Sequence, residues 1–560
     1  MIPSLATRGK LVLATAALMV VVGAFRGAPP LVAMGGGVLV ALLAAYVGFF
    51  PTAVLLRRKK IELSWWVPPG DQPGGALAPE RPFQLHIAYR NHGSRTLRVL
   101  STKVLTGRGL DVAPCVPATV GAGRQVEHIT DVRPAVAGYQ VLHGAVLVLG
   151  DLLNLFEVHA YFPNPIAVKV FPRPRPAVSP VIKLAAGVNS EHVGQHQVRR
   201  RGLAGELREL REHAHGDPFK YIAWKATARK GKLMVRDLEN ELVATHVLVA
   251  DIGATMRTGE PGRTPLDWAV DTAAAAARAA IAAGDRVGLV TFDTRPVLEL
   301  RPGSGHHHWL QLVDRLLDAH TVVDEDLTDL TPGELVATVA SYLAHQEAID
   351  VRIRSAPPID DPRWNQIQAG PDGVLYDLGA MTRMVAKLLE AMGGGKTLAP
   401  PWWWSRVHLA AGADPQLAPL RLFCRLRGIE LPYRGDGEHG RRASGFAAAI
   451  ERAVAEGRPD QVVVLSDLTG VVEDEDRVRR SLARARRHAG SVIALVPQMP
   501  AFSTSASSDV GKLVASILTR EHRRSFNDAR AMLTRTGVRV LAAGPQDTPA
   551  LLLGRRRRAA

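Results

Sequence analysis

The chain has 560 residues, 47% hydrophobic and 22% charged, enough for two or three folded domains. Its two cysteines, Cys115 and Cys424, exclude a disulfide scaffold and suit a reducing compartment. The formal net charge of +16 points to an anionic membrane surface rather than nucleic acid. Its basic clusters, residues 57–60 and 555–558, lack interleaved aromatic residues that would stack on bases.

Residues 11–25 are apolar and uncharged, Arg26-Gly-Ala-Pro-Pro30 interrupts them, and a second uncharged apolar run covers 31–56. About 20 apolar residues cross a bilayer, so 1–60 is predicted to be a transmembrane helical hairpin. Arg8 and Lys10 before it and Arg57, Arg58, Lys59 and Lys60 at its end place both termini in the cytoplasm by the positive-inside rule. The expected location is the inner (cytoplasmic) membrane, multi-pass, with the soluble domains in the cytoplasm. The competing reading is a cleaved signal followed by a buried helix, but no small-residue cleavage site precedes the second run.

From 61 to 176 short alternating runs lie between turn signals. Phe83-Gln-Leu-His-Ile-Ala-Tyr89, the run 141–149 and Ile166-Ala-Val-Lys-Val-Phe171 read as strands of a small antiparallel β-sandwich. No Asp or His cluster there has metal-ligand spacing. Pro172-Arg-Pro-Arg-Pro176 reads as a stiff linker.

Residues 177–245 are predicted to be a linker, and 246–560 an α/β domain. Strands are expected at Val247-Leu-Val-Ala250, Arg286–Phe292, Gln461–Leu465, Ser491–Val496 and Gly537–Leu541, with helices between. Thr264-Pro265 is a helix-start signal. This alternation predicts a doubly wound parallel sheet, which binds ligands at the carboxyl ends of its strands. Asp251, Asp293 and Asp467 each follow such an end. A large insertion, about 320–449, holds a Trp402-Trp-Trp404 run that is either an exposed anchor or core.

Between 211 and 229 the chain reads Arg-Glu-His-Ala-His-Gly-Asp-Pro-Phe-Lys-Tyr-Ile-Ala-Trp-Lys-Ala-Thr-Ala-Arg. Gly216, Asp217, Ile222, Trp224, Lys225, Thr227, Ala228 and Arg229 match the pattern of the domain of unknown function 58 family, which the chain resembles. His213, Lys220 and Ala223 depart from it, and Asp151-Leu-Leu-Asn-Leu-Phe156 looks like a further family element. The resemblance implies a membrane-anchored protein with a von Willebrand factor A-like domain and a MoxR-type AAA+ ATPase as partner, in complex assembly or maturation of a client. It implies no catalysis.

Many von Willebrand factor A domains hold Mg²⁺ through Asp-x-Ser-x-Ser and a distant threonine and aspartate. Here the motif reads Asp251-Ile-Gly253-Ala-Thr255, with Asp467 as the distant carboxylate. Asp251, Thr255 and Asp467 are thus candidate Mg²⁺ ligands; otherwise Asp251 caps its own loop. Asp217, Trp224, Lys225 and Arg229 are expected either to clamp domains together or to dock a partner. The alternative function is a metal-dependent hydrolase using Asp251, Asp293 and Asp467. His306-His-His308 is expected in a solvated loop, because adjacent residues on a helix do not converge on one ion. Gly393-Gly-Gly-Lys-Thr397 lacks the first glycine of a phosphate-binding loop, having Glu390 there.

Overall fold

The computed structural model describes residues 3–57, 60–68, 77–107, 109–176, 193–214, 219–355, 357–358, 360–392, 406–409, 414–434, 440–455, 457–502 and 509–547. The chain divides into two compact units, residues 1–171 with 322–433, and 172–321 with 434–560.

In the first unit, helices Thr7–Phe25 and Pro29–Arg57 are long and apolar enough to cross a membrane by length and composition. Unlike core helices, they leave Leu11, Leu18, Phe25, Met34, Val40, Leu43 and Val47 exposed. Small residues bring the pair together: a Cβ at Gly35 would stand 2.8 Å from the Ala16 carbonyl oxygen, and one at Gly23 2.9 Å from Val32.

Two antiparallel sheets follow. One contains Ile61–Trp66, Phe83–Asn91, Gln125–Pro134 and Leu110–Val112. The other contains Ser4–Leu5, Phe156–Val170, Gly138–Gly150, Leu97–Thr106 and Ala118–Val120. The first strand shows why: Ile61, Leu63 and Trp65 are buried while Glu62, Ser64 and Trp66 face out, the period of a half-buried strand. Leu85, Ile87, Leu147, Leu149 and Val158 share one core between the sheets.

Residues 322–433, within the stretch expected to be an insertion in the α/β domain, cluster instead with this first unit. Helices Pro332–Gln346, Leu378–Met392 and Ala418–Arg427 pack on Leu335, Val339, Met381, Leu420 and Phe423. Tyr342 sits edge-on to His143 of the second sheet, ring centroids 5.7 Å apart. The tryptophan run 402–404 and the glycine run 393–397 lie outside the described residues.

The second unit is built on a six-stranded sheet in the order Pro296–Gly303, Arg286–Phe292, Thr245–Asp251, Gln461–Leu465, Ser491–Pro497, Arg539–Ala543. All neighbours are parallel except the first pair, which is antiparallel. Val462, Val463 and Val464 are all buried, the continuous run of a strand covered on both faces. Thr264 caps helix Pro265–Ala282 with a reciprocal box: its Oγ1 accepts from the Asp267 N–H at 3.1 Å, and Asp267 Oδ2 accepts from the Thr264 N–H at 2.9 Å. The proline-rich segment at 172–176 is pinned to this helix. Asp271 Oδ1 accepts from the Arg173 N–H at 2.8 Å, and Arg175 Nε lies 3.5 Å from Asp271 Oδ2.

Two expectations are corrected. The 177–245 linker contains a long hairpin, Val193–Glu212 paired antiparallel with Met234–Leu242. Its arginine-rich sequence hides the alternation by which strands are recognised. His306, His307 and His308 lie in the first turn of helix Gly305–Asp318, not in a loop. The apolar spacing of Leu312, Val313, Leu316 and Leu317 carries that helix back to them, and His308 Nε2 stands 2.6 Å from the Val287 carbonyl oxygen.

His143 gives the first unit a pH dependence. Burial, with the nearby Arg427 charge, pushes its imidazole down to about 4. The unfolded chain takes this proton near pH 6.5, the folded one only near 4, so stability is full above about 6.5 and falls as pH drops towards 4. Two and a half pH units correspond to about 3 kcal/mol. Denaturant unfolding of the detergent-solubilised chain at pH 7 and 4.5 should show most of that loss, about 2.5 kcal/mol, in the wild type and a smaller one in His143→Gln.

Candidate functional site

In the second unit, the order of strands reverses between Thr245–Asp251 and Gln461–Leu465, neighbours in space but separated in the chain by the two strands on one flank. The carboxyl ends of two such strands diverge into a crevice where α/β sheets place ligands. Asp251 ends the first strand and Asp467 lies just past the second. Both carboxylates are buried.

Helix Arg441–Ala455 brings a cation to them. Arg442 Nη2 donates to Asp251 Oδ2 at 2.9 Å and to Asp467 Oδ1 at 3.4 Å, while Nη1 donates to Thr255 Oγ1 at 2.7 Å. Asp251 also accepts from the Ser466 hydroxyl at 2.6 Å and the Gly253 N–H at 2.8 Å. Asp467 accepts from the Thr469 N–H at 3.0 Å and its hydroxyl at 2.9 Å. Burial raises the Asp251 carboxyl above its ordinary range and Asp467 adds to this; the Arg442 guanidinium and the two donors oppose it. Directly after Asp467, Leu468 adopts a left-handed backbone, φ 60°, and its N–H donates to Ser466 Oγ at 3.0 Å. That conformation costs a non-glycine residue about 1–2 kcal/mol and marks a locally constrained tip.

The helix can come this close because of Gly445. A Cβ there would overlap the carbonyl oxygen of Asp293, just past strand Arg286–Phe292. Asp293 has a cation of its own: Arg434 Nη2 donates to Asp293 Oδ2 and to Thr294 Oγ1, both at 2.6 Å.

The three strand-end aspartates are therefore divided between two arginines. Asp251, Thr255 and Asp467 come together around Arg442; Asp293 does not join them. Among the described residues no three His, Cys, Asp or Glu side chains form a metal-ligand group. Neither arginine was singled out in the sequence. Arg442 is 191 positions from Asp251, and only the folded sheet brings them together. Beside Asp467 a cleft opens, lined by Thr469, Gln498, His522, Arg523 and Phe526.

The described part of the segment carrying the family resemblance, residues 211–214 and 219–229, lies at the end of the hairpin Val193–Glu212/Met234–Leu242 and between its strands in the chain. Trp224–Lys230 is a helix with no buried residue, ended by Gly231 in the left-handed conformation at φ 65°. Trp224 is 65% exposed and Phe219 74%. Lys225 and Arg229, with Lys220, Lys230 and Lys232, are exposed around them. Asp217 lies outside the described residues.

Residues 209–338 match the family model described as protein of unknown function DUF58. The match includes this tip and both Asp251 and Thr255. No curated protein matches the chain. Among solved structures it is similar to a FixG-related protein from Vibrio parahaemolyticus, at 12% identity over 19% of this chain and 96% of that one, TM-score 0.13. A PapD-like domain of human CEP192 aligns at 10% identity over 20% and 84%, TM-score 0.15. A fragment of native alpha-2-macroglobulin from Escherichia coli, from domain MG7 to its C-terminus, aligns at 10% identity over 85% of this chain and 65% of that fragment, TM-score 0.17.

Ordinarily Gly→Ala in a helix is favourable by about 1 kcal/mol. At Gly445 the sign should reverse, because the new methyl meets backbone that cannot swing away. Gly445→Ala should cost about 1–3 kcal/mol. Gly457→Ala, where a Cβ meets nothing within 4 Å, should change stability by no more than about 0.5 kcal/mol. Thermal melts of the two variants against wild type compare them.

Proposed function

We propose that this protein is a membrane-anchored, non-catalytic adaptor with a doubly wound, von Willebrand factor A-like domain, which docks a MoxR-type AAA+ ATPase in the assembly or maturation of a client protein complex. The two exposed apolar helices support the anchor, with both ends on the cytoplasmic side of the inner membrane by the charge argument. The strand order and the position of Asp251 and Asp467 at its reversal support the domain type. The ATPase follows from the family resemblance.

The observation that carries the docking role is the exposure of Trp224. Here the indole and Phe219 stand exposed among basic side chains at the end of a hairpin. Aromatic residues ringed by charge are the usual anchors of a protein interface. The basic surround suits an acidic face on the partner.

A hydrolase would need Asp251, Asp293 and Asp467 to converge on one ion. Asp293 is held by Arg434 and the other two by Arg442. No observation favours that reading over the adaptor.

Affinity capture with the tagged full chain in detergent, with a non-hydrolysable ATP analogue present, should recover a AAA+ ATPase. Trp224→Ala and Lys225→Glu should each weaken capture about tenfold or more, the loss of an interface anchor. Recovery of no ATPase, or undiminished recovery with both variants, would refute the proposal.

A further inference from the structure

We infer that Arg442 is the resident cation of the strand-tip site, standing where a von Willebrand factor A-like domain would hold a divalent metal, so that this site works without one. Three features of the second unit agree. First, the guanidinium already engages the three oxygen groups that a metal would need: Asp251 at 2.9 Å, Thr255 at 2.7 Å and Asp467 at 3.4 Å. Second, Gly253, at the position of the first hydroxyl in the metal-binding pattern, supplies no oxygen. A Cβ there would stand 2.9 Å from Arg442 Nη2 and 3.0 Å from Asp251 Oδ1. A serine at 253 and the guanidinium compete for one volume, so the missing hydroxyl and the arriving arginine are two sides of one substitution. Third, the helix that carries Arg442 is seated by Gly445 against the neighbouring strand end, which fixes how far the guanidinium reaches.

The chemistry is distinct from a metal's. Mg²⁺ wants about six oxygen ligands in an octahedron and binds an incoming carboxylate by direct coordination. A guanidinium is planar, permanently charged and directional, and its donors here point at fixed acceptors. Two buried carboxylates facing one guanidinium leave one negative charge in excess. A divalent ion added to the intact cluster would have to displace the arginine from both carboxylates and break its ion pairs with them, which is costly.

The full-length chain in detergent, stripped with EDTA and titrated with Mn²⁺ by electron paramagnetic resonance, provides the test. Wild type should take up no stoichiometric Mn²⁺, and EDTA should leave its melting temperature unchanged. Arg442→Ala should melt lower than wild type in EDTA, bind one Mn²⁺ per chain, and regain melting temperature as Mn²⁺ is added. Gly253→Ser/Arg442→Ala, which restores the hydroxyl, should bind Mn²⁺ more tightly, and adding Asp251→Asn to it should abolish that binding. Stoichiometric Mn²⁺ uptake by wild type that Asp251→Asn abolishes would overturn the inference. So would a folded Arg442→Ala and a folded double variant that both take up none. If the arginine variants do not fold, the wild-type titration and its Asp251→Asn control decide alone.

Discussion

The pairing of Arg442 with Asp251 and Asp467 is the constraint on which the rest of the second unit's functional end depends. Two carboxylates lie buried at the tips of adjacent parallel strands, where nothing in the sheet itself neutralises them. Removing one partner of such a cluster typically costs about 3–5 kcal/mol, because the remaining charge is left without water or counter-charge. The consequences spread outward. The guanidinium fixes the first turn of helix Arg441–Ala455, that helix needs a glycine where it crosses the Asp293 backbone, and Leu468, next to Asp467 in the chain, is held in an unfavourable conformation. A site that is polar, buried and fully hydrogen-bonded is rigid, and a rigid loop edge is a good platform for recognition.

The hairpin tip contrasts with this. Its helix buries nothing, and its aromatic side chains meet solvent although water is a poor environment for them. One end of the second unit therefore stores its charges inside, and another part presents apolar rings and positive charge outside. The first arrangement favours stability and geometry, the second favours association.

The chain reaches this state by an indirect route. It leaves the first unit at residue 172, returns to it at 322 and leaves it again at 434. Residues 322–433 make their own small core and add to it the Tyr342–His143 contact with the second sheet. Arg427 is buried there with Glu347 at 3.0 Å, an ion pair made within this portion of the chain. Segments that pair their buried ions within themselves can be inserted without leaving an unmatched charge in the host.

Local patterns in the sequence were enough for the elements. Uncharged apolar runs mark the two helices near the N-terminus, β-branched runs mark the parallel strands, Thr264-Pro265 marks a helix start, and aspartates mark strand ends, because each depends on residues a few positions apart. The same locality explains what was missed: the hairpin concealed by its arginines, the helix beginning at the histidines, and the placement of 322–433. Gly253 was legible as a missing ligand, but not what replaces it. Arg442 lies beyond the whole 322–433 excursion, and one arginine among the many of this basic chain carries no local mark. Only tertiary structure selects it, since a guanidinium finds its carboxylates through the packing of a helix on a sheet rather than through spacing along the chain. The exposure of Trp224 was decided at that level as well: burial is a property of what surrounds a side chain, and the sequence around this tryptophan fits a clamp and a docking surface equally.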